Sequence, residues 1–269
     1  MTDLIVGNNL NSFLFCLVMM FVLSFHVVKA DDNTYESYLK EGDEYYMNFD
    51  NQSAINEYEK AYQLSGDNFE ILAKLALSNN DYGEDLKNNG KPGAAKYFED
   101  SIKYGKLLKQ KYPEKAEGYF FVASAYGNYA RYRGGKDKVK LARYVEENAK
   151  KAISLNQDFA PPYIILGVYY REIAKLNRFL KAFANTFLGG LPNGTYFDSI
   201  QMLKKAAELS PEKIYAHFEL AETYRSINDD KNAQIHYLKV LELPVSDHQD
   251  KWKKEKALRI LIRTTVSMK

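Results

Sequence analysis

Four stretches of this chain repeat one arrangement of side chains, and that arrangement limits what the chain can fold into. They read Tyr38-x2-Glu41-Gly42-x2-Tyr45, Tyr119-x2-Val122-Ala123-x2-Tyr126, Tyr163-x2-Leu166-Gly167-x2-Tyr170 and His217-x2-Leu220-Ala221-x2-Tyr224. Steps of three and four residues put these positions on one face of a helix. The small residue opens a gap in that face, where a second helix can seat a ring. Matching second helices carry Ala54, Tyr58 and Ala61, and Ala233, Tyr237 and Val240. Ser199, Leu203, Ala206 and Pro211 fit more loosely, and Val145, Ala149 and Ala152 fit weakly. From Ala61 to Leu72, Ala152 to Tyr163, Ala206 to His217 and Leu108 to Tyr119 the step is always eleven residues. A constant connection repeats one packing angle, and a single hairpin is too small to bury its own apolar face. The expected fold is therefore all-α: an α-α superhelix of about five helical hairpins plus a C-terminal capping helix.

With Tyr or His in place of Trp, the signature resembles the first-helix pattern W-x2-L-G-x2-Y of a tetratricopeptide repeat, and the partner helices resemble its A-x3-F-x2-A. The hairpins differ in length. Tyr45 to Ala54 and Tyr224 to Ala233 are nine apart, whereas Tyr126 to Val145 is nineteen and Tyr170 to Ser199 is twenty-nine. Repeats three and four thus read as carrying insertions of ten and twenty residues. Repeat two, about residues 68–113, matches least well: Leu72 and Leu75 fit, but Asn79 replaces the tyrosine.

Gly66, the Asn88-Asn89-Gly90 run and Gly134-Gly135 mark helix ends, and Pro92 and Pro161 mark starts. Helices are expected over 35–47, 51–64, 68–88, 92–111, 115–132, 138–154, 161–187, 195–209, 212–226 and 230–242. A last helix follows Pro244, with Ser246 and Gln249 as a capping box and Trp252, Leu258, Ile260 and Leu261 as its apolar stripe. The helix over 161–187 is unusually long. Its tail carries Phe179, Leu180, Phe183 and Phe187 at helical spacing. That tail either folds back on the solenoid as extra core or forms a lid over the groove. The Gly189-Gly190-Leu191-Pro192 stretch ends it, and Thr195 is placed to cap the next helix.

Phe13 to Val28 is apolar apart from Ser24 and His26, and spans ~24 Å as a helix, short of the ~30 Å hydrocarbon core. Val28-Lys29-Ala30 offers a cleavage site after Ala30. The reading is a signal peptide over 1–30 and one solenoid domain over 31–269, exported to a periplasm or secreted; an uncleaved anchor is the alternative. Cys16, the only cysteine, follows Phe15, where a lipidation site needs a small residue. A net charge of +2 argues against a nucleic-acid partner. The 22 tyrosines and 15 phenylalanines suit a helical core.

The half-chain from Ala125 to about Leu261 resembles a particular family. Ala125-Tyr126-Gly127-Asn128-Tyr129-Ala130-Arg131-Tyr132 is followed by Lys138–Ala142, Leu166-Gly167-x-Tyr169-Tyr170-Arg171-Glu172-Ile173-Ala174, the run from Phe187 to Tyr196 and Leu243-Pro244-Val245. These segments resemble the regulator of microtubule dynamics family, and specifically its bacterial, exported relatives. The Gly190-Leu191-Pro192 segment is also similar to the tetratricopeptide component of TRAP-type periplasmic transporters. The family's eukaryotic members associate with microtubules and mitochondrial membranes, but an exported protein could not meet tubulin.

No zinc-protease, nucleophile-elbow, phosphate-loop or dinucleotide motif is present, so neither catalysis, a metal nor a cofactor is expected. His217 takes a packing position, and His236 and His248 have no metal-ligand spacing. First helices of such repeats line the concave wall. That places Phe120, Ser124, Ile164, Val168, Arg171, Tyr215, Phe218, Glu222 and Arg225 on it, with Asn128 and Arg131 one turn further. Arg171 and Arg225 are candidates to hold a carboxylate with both guanidinium nitrogens. The same positions could equally be solvated wall residues. The wall lacks the Lys and Asn pattern of chaperone-tail clamps, since Leu39 and Asp43 occupy the matching slots. The expected function is a non-catalytic scaffold binding a protein or peptide in its groove. The alternative is a small-molecule carrier serving a transporter, marked by an insertion that closes the groove. Membrane contact is expected only through an uncleaved signal.

Overall fold

A computed structural model describes residues 34–190 and 194–267. The expected signal peptide, and Leu191 and Pro192 of the loop, lie outside them. Twelve helices run through the described residues, and no strand occurs among them. The first hairpin joins α1 (Tyr35–Met47) to α2 (Asn51–Ser65), and the second joins α3 (Phe69–Asn88) to α4 (Ala94–Lys111). The third joins α5 (Ala116–Arg133) to α6 (Gly135–Leu155). The fourth pairs α7 (Ala160–Ala174) with α9 (Tyr196–Leu209), with α8 (Arg178–Phe187) between them in the chain. The fifth joins α10 (Ile214–Ser226) to α11 (Asp230–Glu242), and α12 (Asp250–Ser267) packs on both. Inner helices touch their successors, α3 to α5, α5 to α7 and α7 to α10, as a tetratricopeptide superhelix requires.

The chemistry of the helix starts explains the boundaries. Thr34, Asp50, Asn68, Asn177, Thr195 and Asp229 each accept an otherwise unpartnered amide in the first turn of the helix they open. Thr195 and Asp198 close a reciprocal capping box. The two short hairpins share one turn. Phe49 and Asn228 adopt φ of +63° and +60°, and Asp50 N and Asp229 N each donate to the signature tyrosine's carbonyl at 3.0 Å.

The repeated small residue does what the spacing implied. A Cβ on Gly42 would collide with the Tyr58 ring, and one on Gly167 with Leu203. Two turns further along the second hairpin, a Cβ on Gly83 would sit 2.7 Å from the Phe98 ring. The signature rings of Tyr126, Tyr163 and Tyr224 are buried. His217 is buried too, stacked on His236 with ring centroids 5.4 Å apart, as its packing position suggested. Three large core clusters run along the stack, and a fourth, small one of Leu86, Ala94 and Phe98 joins the middle one through Tyr129. Phe120 packs against both the first and the middle cluster, and Ile153 and Met202 against both the middle and the last.

Three local expectations are corrected. The helix over 161–187 breaks at residues 175–177, because Asn177 turns its side chain onto the amide of Leu180 at 2.9 Å and opens α8. The ten extra residues of repeat three form no loop. They lengthen α5 and α6, which meet at Gly134. Ser246 and Gln249 form no capping box. Instead the Asp250 carboxylate accepts the amides of Ser246 and Asp247 at 2.9 and 2.8 Å, which frees the Gln249 side chain to cross to α3.

Candidate functional site

The inner face is where the fold gathers polar side chains from distant parts of the chain. Apart from Arg225, every sequence-predicted wall residue lines one of three adjoining inner cavities. Asn128 and Val168 border an apolar cavity behind α5 and α7, while Phe120 and Ile164 border a cavity beside α12. Ser124 borders both. Arg171, Phe218 and Glu222 surround a polar chamber of about 180 Å³. Arg131 borders the chamber and the apolar cavity, and Tyr215 borders all three.

Their state differs from the open, solvated wall the sequence suggested. Ser124, Asn128, Ile164, Val168, Arg171 and Phe218 are buried, and Ile164, Val168 and Phe218 belong to the core that joins the last two hairpins. Arg171 does hold a carboxylate, but it is the chain's own. Its Nη2 donates to the Glu219 side chain, and its Nη1 donates to the Glu219 carbonyl at 3.0 Å and to Thr223 Oγ1 at 3.1 Å. Burial opposes the charge on Arg171, yet Glu219 outweighs it and raises the guanidinium's pKa further. Arg225 lies outside the cavities, exposed, 3.4 Å from Glu222. Neither arginine is an unengaged fork. Tyr237 and Lys256 also engage Glu222, the latter at 3.1 Å. Burial acts to raise the Glu222 pKa, but Lys256, the Tyr237 hydrogen bond and Arg225 together outweigh burial and lower it. Arg131 bridges Glu84, at 3.3 Å, and Asn128, which in turn donates to Asn80 at 2.9 Å.

Sequence reasoning missed most of the chamber wall, Glu172 and Glu219 on the inner helices and Lys175 at the end of α7 among it. Glu84, Lys87 and Asn88 come from the lengthened end of α3, and Gln249, Trp252, Lys253 and Lys256 from the start of α12. The available signal was the polar run Ser78-Asn79-Asn80-Asp81 on a helix whose register makes it an inner one. The chamber lining carries six cations (Lys87, Arg131, Arg171, Lys175, Lys253 and Lys256) against Glu84, Glu172, Glu219 and Glu222. Burial first, and then Arg131, lowers the pKa of Lys87; burial and then Arg171 lower that of Lys175. Lys253 is buried, lies 4.4 Å from the centre of the Tyr215 ring, and forms no ion pair among the described residues.

Residues 246–253 do more than cap the last hairpin. They reach the first two repeats. His248 Nε2 engages the Asp85 carboxylate, Gln249 Nε2 donates to the same carboxylate at 2.5 Å, and Asn88 Nδ2 donates to Gln249 Oε1 at 2.8 Å. The His248 ring packs edge-on against Phe49 at 5.4 Å, and Lys251 Nζ lies 5.2 Å from the centre of that ring. Burial opposes charge on His248, but the hydrogen bond and charge of Asp85, then Asp81 and Asp247, outweigh it and raise the imidazole pKa. Beside it, burial and then Asp247 push the Asp81 carboxyl up to about 7. His248, which had no assigned role from sequence, thus fastens the C-terminal segment across one side of the inner face. α8 is not a lid over that face. It leans on the outer helix α6, as the fold-back reading had it. Among the described residues no group of three His, Cys, Asp or Glu side chains is placed to hold a metal.

Comparison with known proteins agrees with this architecture. A thermophilic tetratricopeptide-repeat protein of Thermus thermophilus superposes with a TM-score of 0.63 at 20% identity, over 84% of this chain and 99% of its own. Yeast Tom70 superposes with a TM-score of 0.51 at 15% identity, over 98% of this chain and 45% of its own. Both show the fold. In sequence, regulator of microtubule dynamics protein 1 of Mus musculus is 24% identical over 211 residues, 76% of this chain and 69% of that protein. The Xenopus laevis protein 3 is 26% identical over 193 residues, 70% of this chain but 40% of that protein. These relatives are vertebrate rather than bacterial proteins. The family model for regulator of microtubule dynamics protein 1-3 matches residues 38–265, nearly the whole described chain, and the chain therefore belongs to that family.

Proposed function

We propose that this tetratricopeptide scaffold is a non-catalytic docking module whose inner chamber receives an acidic segment of a protein partner. Lys253 carries the reading. It lines the chamber with no ion pair of its own there among the described residues, its electrostatic influence being on Asp250 three residues back, and an incoming anion would give its ammonium a direct partner. The surplus of cations over carboxylates in the chamber supports the same partner chemistry. Tyr215 and Trp252, both only partly buried, add flat apolar surface of the kind that anchors a bound chain.

The test is calorimetric titration of the full chain with a Glu-rich peptide and with its Gln-rich counterpart. The Glu-rich peptide binds, the Gln-rich one binds at least roughly tenfold more weakly, and Lys253→Met removes most of the difference. Equal binding of the two peptides, or none, ends the proposal. A small-molecule reading has one specific observation in its favour, the closure of one side of the chamber by residues 248–253. Native mass spectrometry of the chain from its own cells separates the two readings: a stoichiometric polypeptide supports the first, a small organic anion the second. We further propose export, on the Phe13–Val28 apolar run and the Ala30 site. The mature N-terminus, read by sequencing, decides it; an intact Met1 counts against cleavage.

A further inference from the structure

We propose that α8 is a docking helix for a lipid surface carrying anionic headgroups. α8 packs on one side only. Leu180, Phe183 and the fully buried Ala184 meet the core beside α6. Phe179 remains 65% exposed and Phe187 71% exposed. They stand two helical turns apart with Phe183 between them, its ring 5.3 Å from that of Phe187. An aromatic stripe standing in water on a surface helix calls for an occupant.

Charge indicates which. α8 contributes Arg178 and Lys181 and has no acidic residue. From α6, Lys136 Nζ lies 5.6 and 5.0 Å from the Phe179 and Phe183 ring centres. Lys140 and Arg143 line the cleft that holds Phe187 and Leu188, and Arg143 donates to the Leu188 carbonyl at 2.7 Å. Against these five cations stand Asp137, which Arg133 holds at 2.7 Å and Lys140 approaches at 4.0 Å, and Glu147. Rings framed by long cationic side chains suit a helix lying in a membrane interface. The rings enter the acyl boundary while the Lys and Arg heads stay among the phosphates. α8 is a single ridge leaning on α6, a shape that fits a fluid plane more readily than a preformed pocket. No helix among the described residues is long and apolar enough to cross a bilayer, so contact through α8 is contact at the surface. This inference does not depend on the inner chamber.

The test uses the full chain carrying Phe187→Trp, mixed with phosphatidylcholine vesicles with or without phosphatidylglycerol, all with brominated acyl chains. The one native tryptophan, Trp252, lies in the chamber wall and supplies a constant background. The added emission is quenched by the phosphatidylglycerol vesicles, and high salt or omission of the anionic lipid relieves the quenching. In parallel, Phe179→Ser with Phe187→Ser weakens vesicle affinity by roughly tenfold or more. The apolar run near the N-terminus could hold the chain to vesicles by itself. Sedimentation without quenching of the added tryptophan therefore overturns the inference, as does quenching that ignores headgroup charge. Capture of an acidic amphipathic peptide by the parent chain but not by the double variant, with no quenching by vesicles, assigns the surface to a protein and overturns it too.

Discussion

At the scale of single residues, the inner wall shows how burial turns expected contact residues into structure. Arg171 was legible as an inner-face cation, because the signature fixes which way the helix faces. Its partner was not legible, because Glu219 lies 48 residues away on another helix. Asp81 makes the same point with a measurable consequence. Its folded pKa of about 7 lies above the unfolded value of about 3.9. Above about pH 4 the unfolded chain therefore gives up a proton that the native carboxyl keeps, and stability falls as pH rises toward about 7. Asp81→Asn keeps an oxygen for the Tyr46 hydroxyl, which donates to Asp81 at 2.8 Å, and removes the titration. The variant is expected to be more stable than the parent by roughly 1–3 kcal/mol at about pH 8 and no more stable near pH 4, read from paired thermal melts. His248 acts in the same direction. With its pKa raised, its contribution is complete below about 6.5 and is lost as pH rises through the folded value.

At the scale of elements, the hairpins could be read from the sequence because each rests on local rules. Spacing set the inner faces, and capping side chains set the ends. Asn177 escaped because asparagine inside a helical pattern is only mildly unfavourable; it becomes a boundary when its side chain turns onto an amide. The extra length of α5 and α6 escaped because a count between signatures cannot distinguish a loop from added helical turns. The packing logic is open to test at two glycines. A Cβ at Gly167 would press on Leu203 and lie 3.1 Å from the Ser199 carbonyl. Gly167→Ala is expected to cost about 1–3 kcal/mol. A Cβ at Gly127 would meet nothing nearer than Val145 at 4.0 Å. Gly127→Ala is expected to be neutral or to stabilise α5 by up to about 1 kcal/mol, through helix propensity. Denaturant unfolding of both variants decides, and equal losses would contradict the close-approach role of Gly167.

At the scale of the whole molecule, the superhelix was legible and its closure was not. The contact between Asp85 and His248 spans 163 residues and leaves no periodic trace in the sequence. A cap serving only the last hairpin and a cap joined to the second repeat predict different things. If the chain ends at Pro244, hydrogen exchange is expected to quicken in α10 and α11 and also in α1, α2 and the end of α3. Faster exchange confined to α10 and α11 would show that the contacts at Phe49, Asp85 and Asn88, and the 2.7 Å contact of Asn51 Nδ2 with His248 Nε2, contribute little.

Along the stack, half-buried side chains pack on two core clusters at once, Phe120 at one junction and Ile153 with Met202 at the other. A coil spring yields where its wire is thinnest. Bending of this molecule is thus expected to concentrate at those two places, by repacking three side chains with every helix intact, and the strap from His248 and Gln249 to Asp85 and Asn88 opposes it.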